Sequence, residues 1–442
     1  MATAKMAPDF LQPFLDRFKD TRKQTDALFA LIRPEALYER PIAERHRLIF
    51  YLGHLEAFDW NLIARDALHH PSFRPEYEKL FAFGIDPVDG QLPHDVPSDW
   101  PIVDEIRAFN ERLRERIDAT LQEPSSDLPE TIASGTLLHV AIEHRLMHAE
   151  TLAYLMHQLN YNQKFAPTNY KTETATNAPF ISSVVTIPAG VATLGMLRDK
   201  GAFGWDNEFE EHQTHVPEFR IGAFPVTNGE FLEFVRAGGY QNKQFWSAED
   251  WAWKNSTQIP YPFFWQEDGQ GWKYRGMFES ISLPLDWPVY VSFAEASAYA
   301  RWKNRKLPTE AQWHRAAFGT PTKSERAYSW GDSSPTMERG NFDFARWDPA
   351  AVNAHPAGQS AFGVQDLLGN GWEWTSTPFG PFSGFTPFPF YPGYSANFFD
   401  GKHFVMKGGS PRTAACMLRR SFRNWFQPHY PYVYAKFRTV EE

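Results

Sequence analysis

Residues 134–159 read SGTLLHVAIEHRLMHAETLAYLMHQL. Leu138, Ile142, Leu146, Leu152 and Leu155 recur at helical intervals, which predicts one long helix. It carries His144 and His148 four residues apart, so both imidazoles project from one face. Three further stripes precede it. Residues 9–32 place Phe10, Phe14, Phe18, Leu28 and Leu31 at helical spacing, and 45–68 place Leu48, Leu52, Leu55, Trp60 and Ile63. Residues 104–121 add Ile106, Phe109, Leu113 and Ile117. Four helices of this length predict an all-α four-helix bundle over residues 1–160. Residues 83–101, rich in Pro, Asp and Gly, read as a long loop between the second and third helices. Long loops of this kind are often functional.

Beyond the bundle the texture changes. Residues 161–182 carry Asn, Thr, Pro and Lys without apolar period and read as a linker. Residues 183–442 predict an α+β domain with much irregular loop. Short strand-like pieces fall at 184–188, 289–292 and 403–407, and helices at 293–303 and 309–318. Two domains suit a chain of 442 residues. The 38 Phe, 17 Tyr and 16 Trp beside 34 Pro predict loops pinned by buried rings.

Composition narrows the function. The net charge is −9 and no Lys/Arg block stands out, which argues against a nucleic-acid partner. No apolar run approaches the roughly 18 residues of a membrane span. The first twenty residues lack the apolar core and cleavage site of a secretory signal, so the expected compartment is the cytoplasm. Cys416 is the single cysteine, which excludes an internal disulfide and any multi-cysteine metal site.

An H-x-x-x-H pair alone is a weak metal signal. His54, in Tyr51-Leu-Gly-His-Leu-Glu-Ala-Phe-Asp-Trp60, strengthens it, because an unpaired imidazole in an apolar stripe costs stability. Ligands on facing helices of a bundle converge on its core. Three neutral imidazoles suit Fe(II), Zn(II), Cu(II) or Ni(II). His139 and His157 lie off the face of the pair and read as non-ligands. Glu143 and Glu150 read either as partners of the ring N–H groups or as solvated helix charges.

Two sets of residues carry a family resemblance. The helical part, with His54, His144 and His148, resembles the DinB-like four-helix metalloproteins. The second part resembles the formylglycine-generating-enzyme fold, an α+β relative of the C-type lectins. Its marks are Phe224-Pro-Val-Thr-Asn-Gly-Glu-Phe231, Arg305-Lys-Leu-Pro-Thr-Glu-Ala-Gln-Trp313, Leu368-Gly-Asn-Gly-Trp-Glu-Trp374, Lys407-Gly-Gly-Ser410 and Ser421-Phe-Arg-Asn-Trp425. The order of the two parts is similar to that of the ergothioneine-biosynthesis sulfoxide synthases. The resemblance implies a mononuclear non-haem Fe(II) enzyme using O2 to join a chalcogen donor to the imidazole carbon of hercynine, the trimethylated histidine betaine. It implies His54, His144 and His148 as iron ligands, and an active site between the domains lined by the linker and by residues 86–100. It implies Asn424 and Trp425 as acceptor-binding residues; an indole face suits a quaternary ammonium group. Phe426 would be a second wall.

The chain departs from the family pattern at several places. Met147 stands where the helix motif often has a Gln that touches the acceptor. Phe426 stands where users of γ-glutamylcysteine are expected to carry an acid. No Arg lies between Arg74 and Arg107, so a dicarboxylate donor lacks its bidentate partners. Phe379 and Phe382 take the positions expected for the catalytic tyrosine, leaving Tyr391, Tyr394, Tyr430 and Tyr432 as candidate acids. Gly408-Gly-Ser-Pro-Arg412 also marks a divergent branch. These departures resemble the selenoneine synthases, whose donor is a selenosugar. A sulfoxide synthase using cysteine or another thiol is the alternative, and a zinc-dependent thiol transferase a more distant one. A formylglycine-generating oxidase would need a cysteine pair, and a ligand-binding module would need no metal.

Overall fold

The structure is a computed structural model that describes residues 11–82, 92–122, 128–171, 182–198 and 201–441. Phe10, residues 83–91 of the expected loop and residues 172–181 of the expected linker lie outside the described residues. The chain divides into two compact units, Met1–Tyr170 and Lys171–Glu442. Among the described residues no helix is long and apolar enough to cross a membrane.

The first unit is a helical bundle. Its elements are α1 (Gln12–Phe29), α2 (Leu48–Asp59), α3 (Pro75–Leu80), α4 (Val103–Gln122), α5 (Glu130–Ala133) and α6 (Thr136–Gln158). The apolar stripes named above form its core: Ile106, Phe109, Leu113 and Ile117 of α4 are all buried. α6 packs on α1 and α2, and α2 also packs on α4. α2 runs directly into a π-helix over Trp60–Ala67, so the second expected helix changes its winding midway. The short α3 falls where no stripe was read. It is held by Tyr77, whose ring meets Phe81 and Phe109.

Residues 161–170 are part of this bundle rather than linker. Phe165 donates its N–H to the Leu31 carbonyl, and Lys164 donates from Nζ to the carbonyls of Met156 and His157. A buried ammonium satisfied by helix C-terminal carbonyls explains why this stretch folds back although it lacks apolar period.

Among the described residues the second unit contains four small sheets. β1 (Val184–Ile187), β4 (Phe219–Gly222) and β12 (Val440–Glu441) form an antiparallel three-stranded sheet in the order β1-β4-β12. β2 (Gly190–Leu194) pairs with β3 (His212–Val216). β5 (Trp265–Glu267), β6 (Trp272–Arg275) and β7 (Ser280–Ser282) form a meander. The sheet that carries the acceptor motif has the order β10-β9-β8-β11, with β8 (Trp372–Pro378), β9 (Phe404–Lys407), β10 (Asn424–Phe426) and β11 (Ala435–Lys436). Along the chain, helices α7 (Asn228–Arg236) and α8 (Ala248–Thr257) fall between β4 and β5, and α9 (Phe293–Trp302) and α10 (Glu310–Phe318) between β7 and β8. The expected strand at 289–292 is not one; it is extended chain leading to the Ser292 cap of α9.

The motifs that carried the resemblance act here as structural locks. Thr227 and Glu230 form a capping box on α7, and Thr309 and Gln312 form another on α10. Asn370, at φ 60°, receives N–H groups from Ala350 and Asn341 on its Oδ1. Glu373 is fully buried and accepts from Arg438 and from the Trp313 indole. Lys407 donates to the carbonyls of Arg420 and Phe422, and burial pushes its pKa down to about 8. Arg412 is buried too. It donates to the carbonyls of Arg346 and Trp347 and packs over the rings of Phe344, Trp347 and Tyr434.

Candidate metal centre

α2 and α6 bring the three expected histidines together. One nitrogen from each of His54, His144 and His148 lies within 4.8 Å of the others, and all three residues are buried. His54 hydrogen-bonds through Nδ1 to the Phe81 carbonyl at 2.7 Å. A carbonyl only accepts, so Nδ1 carries the proton and the Nε2 lone pair is left for a ligand. Among the described residues, His54 Nε2 and His148 Nδ1 have no hydrogen-bond partner.

The surroundings keep the rings neutral. Burial pulls His54 down to about 4, with the Phe81 carbonyl opposing and His46 and Arg145 assisting. Burial also holds His144 well below its ordinary value, aided by His148 and His54. His148 is lowered by burial, then by His54, Arg45 and Arg145. Three neutral imidazoles in a dry site are the donor set of a first-row transition metal, so the residues present fit one.

Aromatic rings fix the triad. Phe58 stacks on His144 at 3.5 Å and 14°, and Phe50 on His54 at 4.8 Å and 20°. Tyr51 lies 5.7 Å from His148. Phe50 and Phe58 flank His54 at four residues either side, a helical spacing that sequence reading could have used. Trp100, at the end of the expected loop, reaches Phe50 and Phe81 at 6.1 Å. Its indole donates to Asp95, which is also bound by Arg40 and Arg47.

Behind the triad lies a charge network. Burial pushes the Glu56 carboxyl up, yet Arg145, Arg114 and Arg22 outweigh it and hold it at about 2. Asp59 goes the other way: burial, opposed by Arg145 but joined by Glu56, raises it to about 6. Glu143 and Glu150 are buried in α6, so the reading of them as solvated charges is corrected. Met147, between the two histidines, is half-buried, and its carbonyl accepts from Thr151.

In the second unit Trp425 sits on β10, paired to Val405 of β9. Phe379 stacks on it at 4.1 Å and 6°, Phe398 lies at 5.6 Å and Tyr394 edge-on at 5.5 Å. Trp425 is half-buried, so part of its surface is exposed. Asn424 is half-buried beside it and accepts from the Trp425 N–H on its own Oδ1. Phe382 packs on His212 and over Arg423. Phe426 stacks on Tyr430, which meets Tyr432. Tyr391 reaches Tyr394 at 5.5 Å. Of the four candidate tyrosines, Tyr394 therefore packs against Trp425.

A family model described as the sulfatase-modifying factor enzyme 1-like domain matches residues 170–442. Hercynine oxygenase of Mycolicibacterium smegmatis is 36% identical over 76% of this chain and 76% of that one. Its Mycobacterium tuberculosis counterpart is 42% identical over 53% of this chain and 55% of that one. Ergothioneine biosynthesis protein 1 of Neurospora crassa is 28% identical over 97% of this chain and 58% of that one. The chain belongs to the sulfatase-modifying factor enzyme 1-like family and, within it, to the group that holds the hercynine oxygenases. Against the Mycobacterium tuberculosis and Neurospora crassa relatives the match spans little more than half of their length.

Proposed function

We propose that the protein is a metal-dependent oxygenase that joins a chalcogen donor to the imidazole carbon of hercynine. The observation that carries this is the buried His54–His144–His148 cluster, in a chain 36% identical to a hercynine oxygenase. These three residues would hold the metal, which we assign as Fe(II) because the chemistry consumes O2. When bound, iron would supply the one-electron chemistry that lets O2 react. The balance for a thiol is complete: the S–H and imidazole C–H bonds break and a C–S bond forms. One oxygen atom goes to sulfur as a sulfoxide, and the other leaves as water with the two protons.

The chain's own tasks are binding, orientation and exclusion of water. Phe50, Phe58 and Phe81 keep the triad dry. Trp425, with Phe379, Phe398 and Tyr394, offers π faces to the trimethylammonium group of hercynine. Asn424 beside it is the polar group placed to fix acceptor orientation. Tyr394, whose ring packs against Trp425, is our candidate for the proton donor, since Phe379 and Phe382 can supply none.

Replacing Trp425 by Leu is expected to raise KM for hercynine about tenfold with a smaller change in kcat, while W425F keeps most of the affinity. A desolvated cation–π contact is worth about 1–2 kcal/mol, which sets that scale. Unchanged KM in steady-state kinetics would mean that Trp425 is a plain packing ring.

For the donor, the relatives favour a thiol over the selenosugar expected from the sequence, since those named for a pathway are named for ergothioneine biosynthesis. A selenosugar is the second reading, on one specific observation. No Arg lies between Arg74 and Arg107, and Arg40 and Arg47, which reach the described part of that segment, are bound to Asp95. A donor with two carboxylates would find no clamp among them. The test is competition: the Fe(II)-loaded protein receives hercynine with cysteine, γ-glutamylcysteine and a selenosugar together, then O2, and product masses are read. A cysteine adduct supports the thiol reading and a selenium adduct the second one. A γ-glutamylcysteine adduct overturns the argument from the missing arginines, and no adduct overturns the function.

A further inference from the structure

Arg145 sits between His144 and His148 in sequence, and its side chain is buried among partners other than the three histidines. Its side chain is 1% exposed, as is Glu56, and Asp59 is 0% exposed. Nη1 donates to Glu56 at 3.0 Å and to Thr25 of α1 at 3.3 Å. Nη2 donates to Asp59 and to the Leu55 carbonyl at 3.2 Å. All three α2 acceptors therefore lie within five residues of His54. Arg114 of α4 meets the same Glu56 at 2.6 Å and continues to Asp26 of α1. Four helices share one ionic junction behind the three histidines.

From this geometry we infer that Arg145 is a positioning residue for the metal centre: its planar fork sets the axial register of α6 against α2, and so the distance between the His144–His148 pair and His54. The inference rests on the reading of the histidines as metal ligands and goes beyond it. Three arguments support it.

First, register is the unsolved problem of this helix pair. α2 and α6 are buried on nearly every side, so apolar packing alone offers several sliding positions of similar quality. Second, a guanidinium that must meet two carboxylates and a carbonyl at once accepts one position only. A slip by one residue would move the donors about 1.5 Å along the axis and break them. Third, the junction is a poor device for stability alone. Buried ion pairs are often no better than apolar side chains of the same volume, and their best-attested use is to fix registry.

The experiment separates registry from stability. The variant R145M/E56M/D59L replaces the α2–α6 part of the junction by apolar groups of similar volume, keeps the Arg114–Asp26 pair, and leaves the histidines and Phe58 untouched. R145K keeps the charge but loses the fork. Each is titrated with Co(II) alone, reading affinity and the ligand-field spectrum, with H144A as the control for loss of the site and apo-protein thermal unfolding alongside. The expected result is that the triple variant unfolds near the wild-type temperature yet binds Co(II) at least tenfold more weakly with a shifted spectrum, the scale on which groups orienting metal ligands act. R145K is expected to fall between it and wild type. Wild-type affinity and spectrum in the folded triple variant would overturn the inference while leaving the metal centre standing. If the triple variant does not fold, R145K decides by the same criterion: an unchanged spectrum and affinity overturns the assignment, and a shift upholds it. Absence of Co(II) binding by the wild type overturns the metal reading and the register assignment with it.

Discussion

Replacing His144 with Ala is expected to abolish stoichiometric metal binding and to lower turnover of hercynine by more than a hundredfold. Losing a group that only orients a ligand costs about 10–100-fold in affinity or activity, and losing the ligand itself costs more. The substitution also removes the ring that Phe58 covers at 3.5 Å. That leaves a cavity, so apo-protein stability is to be measured beside metal content. His144→Gln keeps volume and a polar end and serves as the folded control. Metal content by elemental analysis after desalting checks the result. Full metal content and full turnover in H144A would remove the residue from the site. Loss of turnover with full metal content would move its role from the metal to a bound substrate.

The second large effect is on stability and lies in the C-terminal unit. Arg438 is fully buried and donates to both oxygens of Glu373 at 2.6 Å, and to the carbonyls of Gly222 and Gln365. It thus ties β8 to β4 and to the loop before Leu368-Gly-Asn-Gly-Trp372. R438M leaves the Glu373 carboxylate buried, with only the Trp313 indole as close partner and Lys436 at 3.9 Å. Breaking such a pair costs about 3–5 kcal/mol. For a unit of this size that corresponds to a fall in Tm of roughly 10 °C. Differential scanning calorimetry reads it, and R438M/E373L, which removes both charges, is expected to recover part of the loss. A Tm unchanged in R438M would mean that Glu373 finds other compensation.

What the sequence revealed followed from amphipathic contrast. α4 shows its buried face plainly because Ile106, Phe109, Leu113 and Ile117 alternate with solvated charges. The histidine cluster was legible for a related reason: His54 stands out as a polar residue in an apolar stripe. α2 and α6 are the opposite case. Nearly every residue from Leu48 to Ala57 is buried, so spacing alone cannot say which side meets which neighbour. Glu56, Asp59 and Arg145 were invisible as a junction because charged residues in a helix ordinarily read as a solvated face, and only the pairing of distant segments reveals them. The short α3 is decided by ring packing around Tyr77 rather than by local propensity, and the π-helical stretch Trp60–Ala67 left no signal in the spacing of apolar residues.

The motifs teach a further distinction. Thr227, Thr309, Asn370, Glu373 and Lys407 recur in the segments that carried the family resemblance, and each caps a helix, supports a turn or neutralises a buried charge. Arg412, expected to mark a divergent branch, is held by two carbonyls and three rings, a local packing role. Such residues identify a fold. The residues on which the proposed function rests are fewer: the three histidines, the rings around Trp425, and the missing arginines.

The most direct test of the central claim is oxygen uptake by the Fe(II)-loaded protein, wild type and H144A in parallel, with products read by mass. The account predicts O2 consumption only when hercynine and a chalcogen donor are both present. It predicts an adduct that carries one added oxygen and lacks two hydrogens relative to the pair, and no reaction in H144A. Uptake indifferent to hercynine, or equal turnover in H144A, would contradict it.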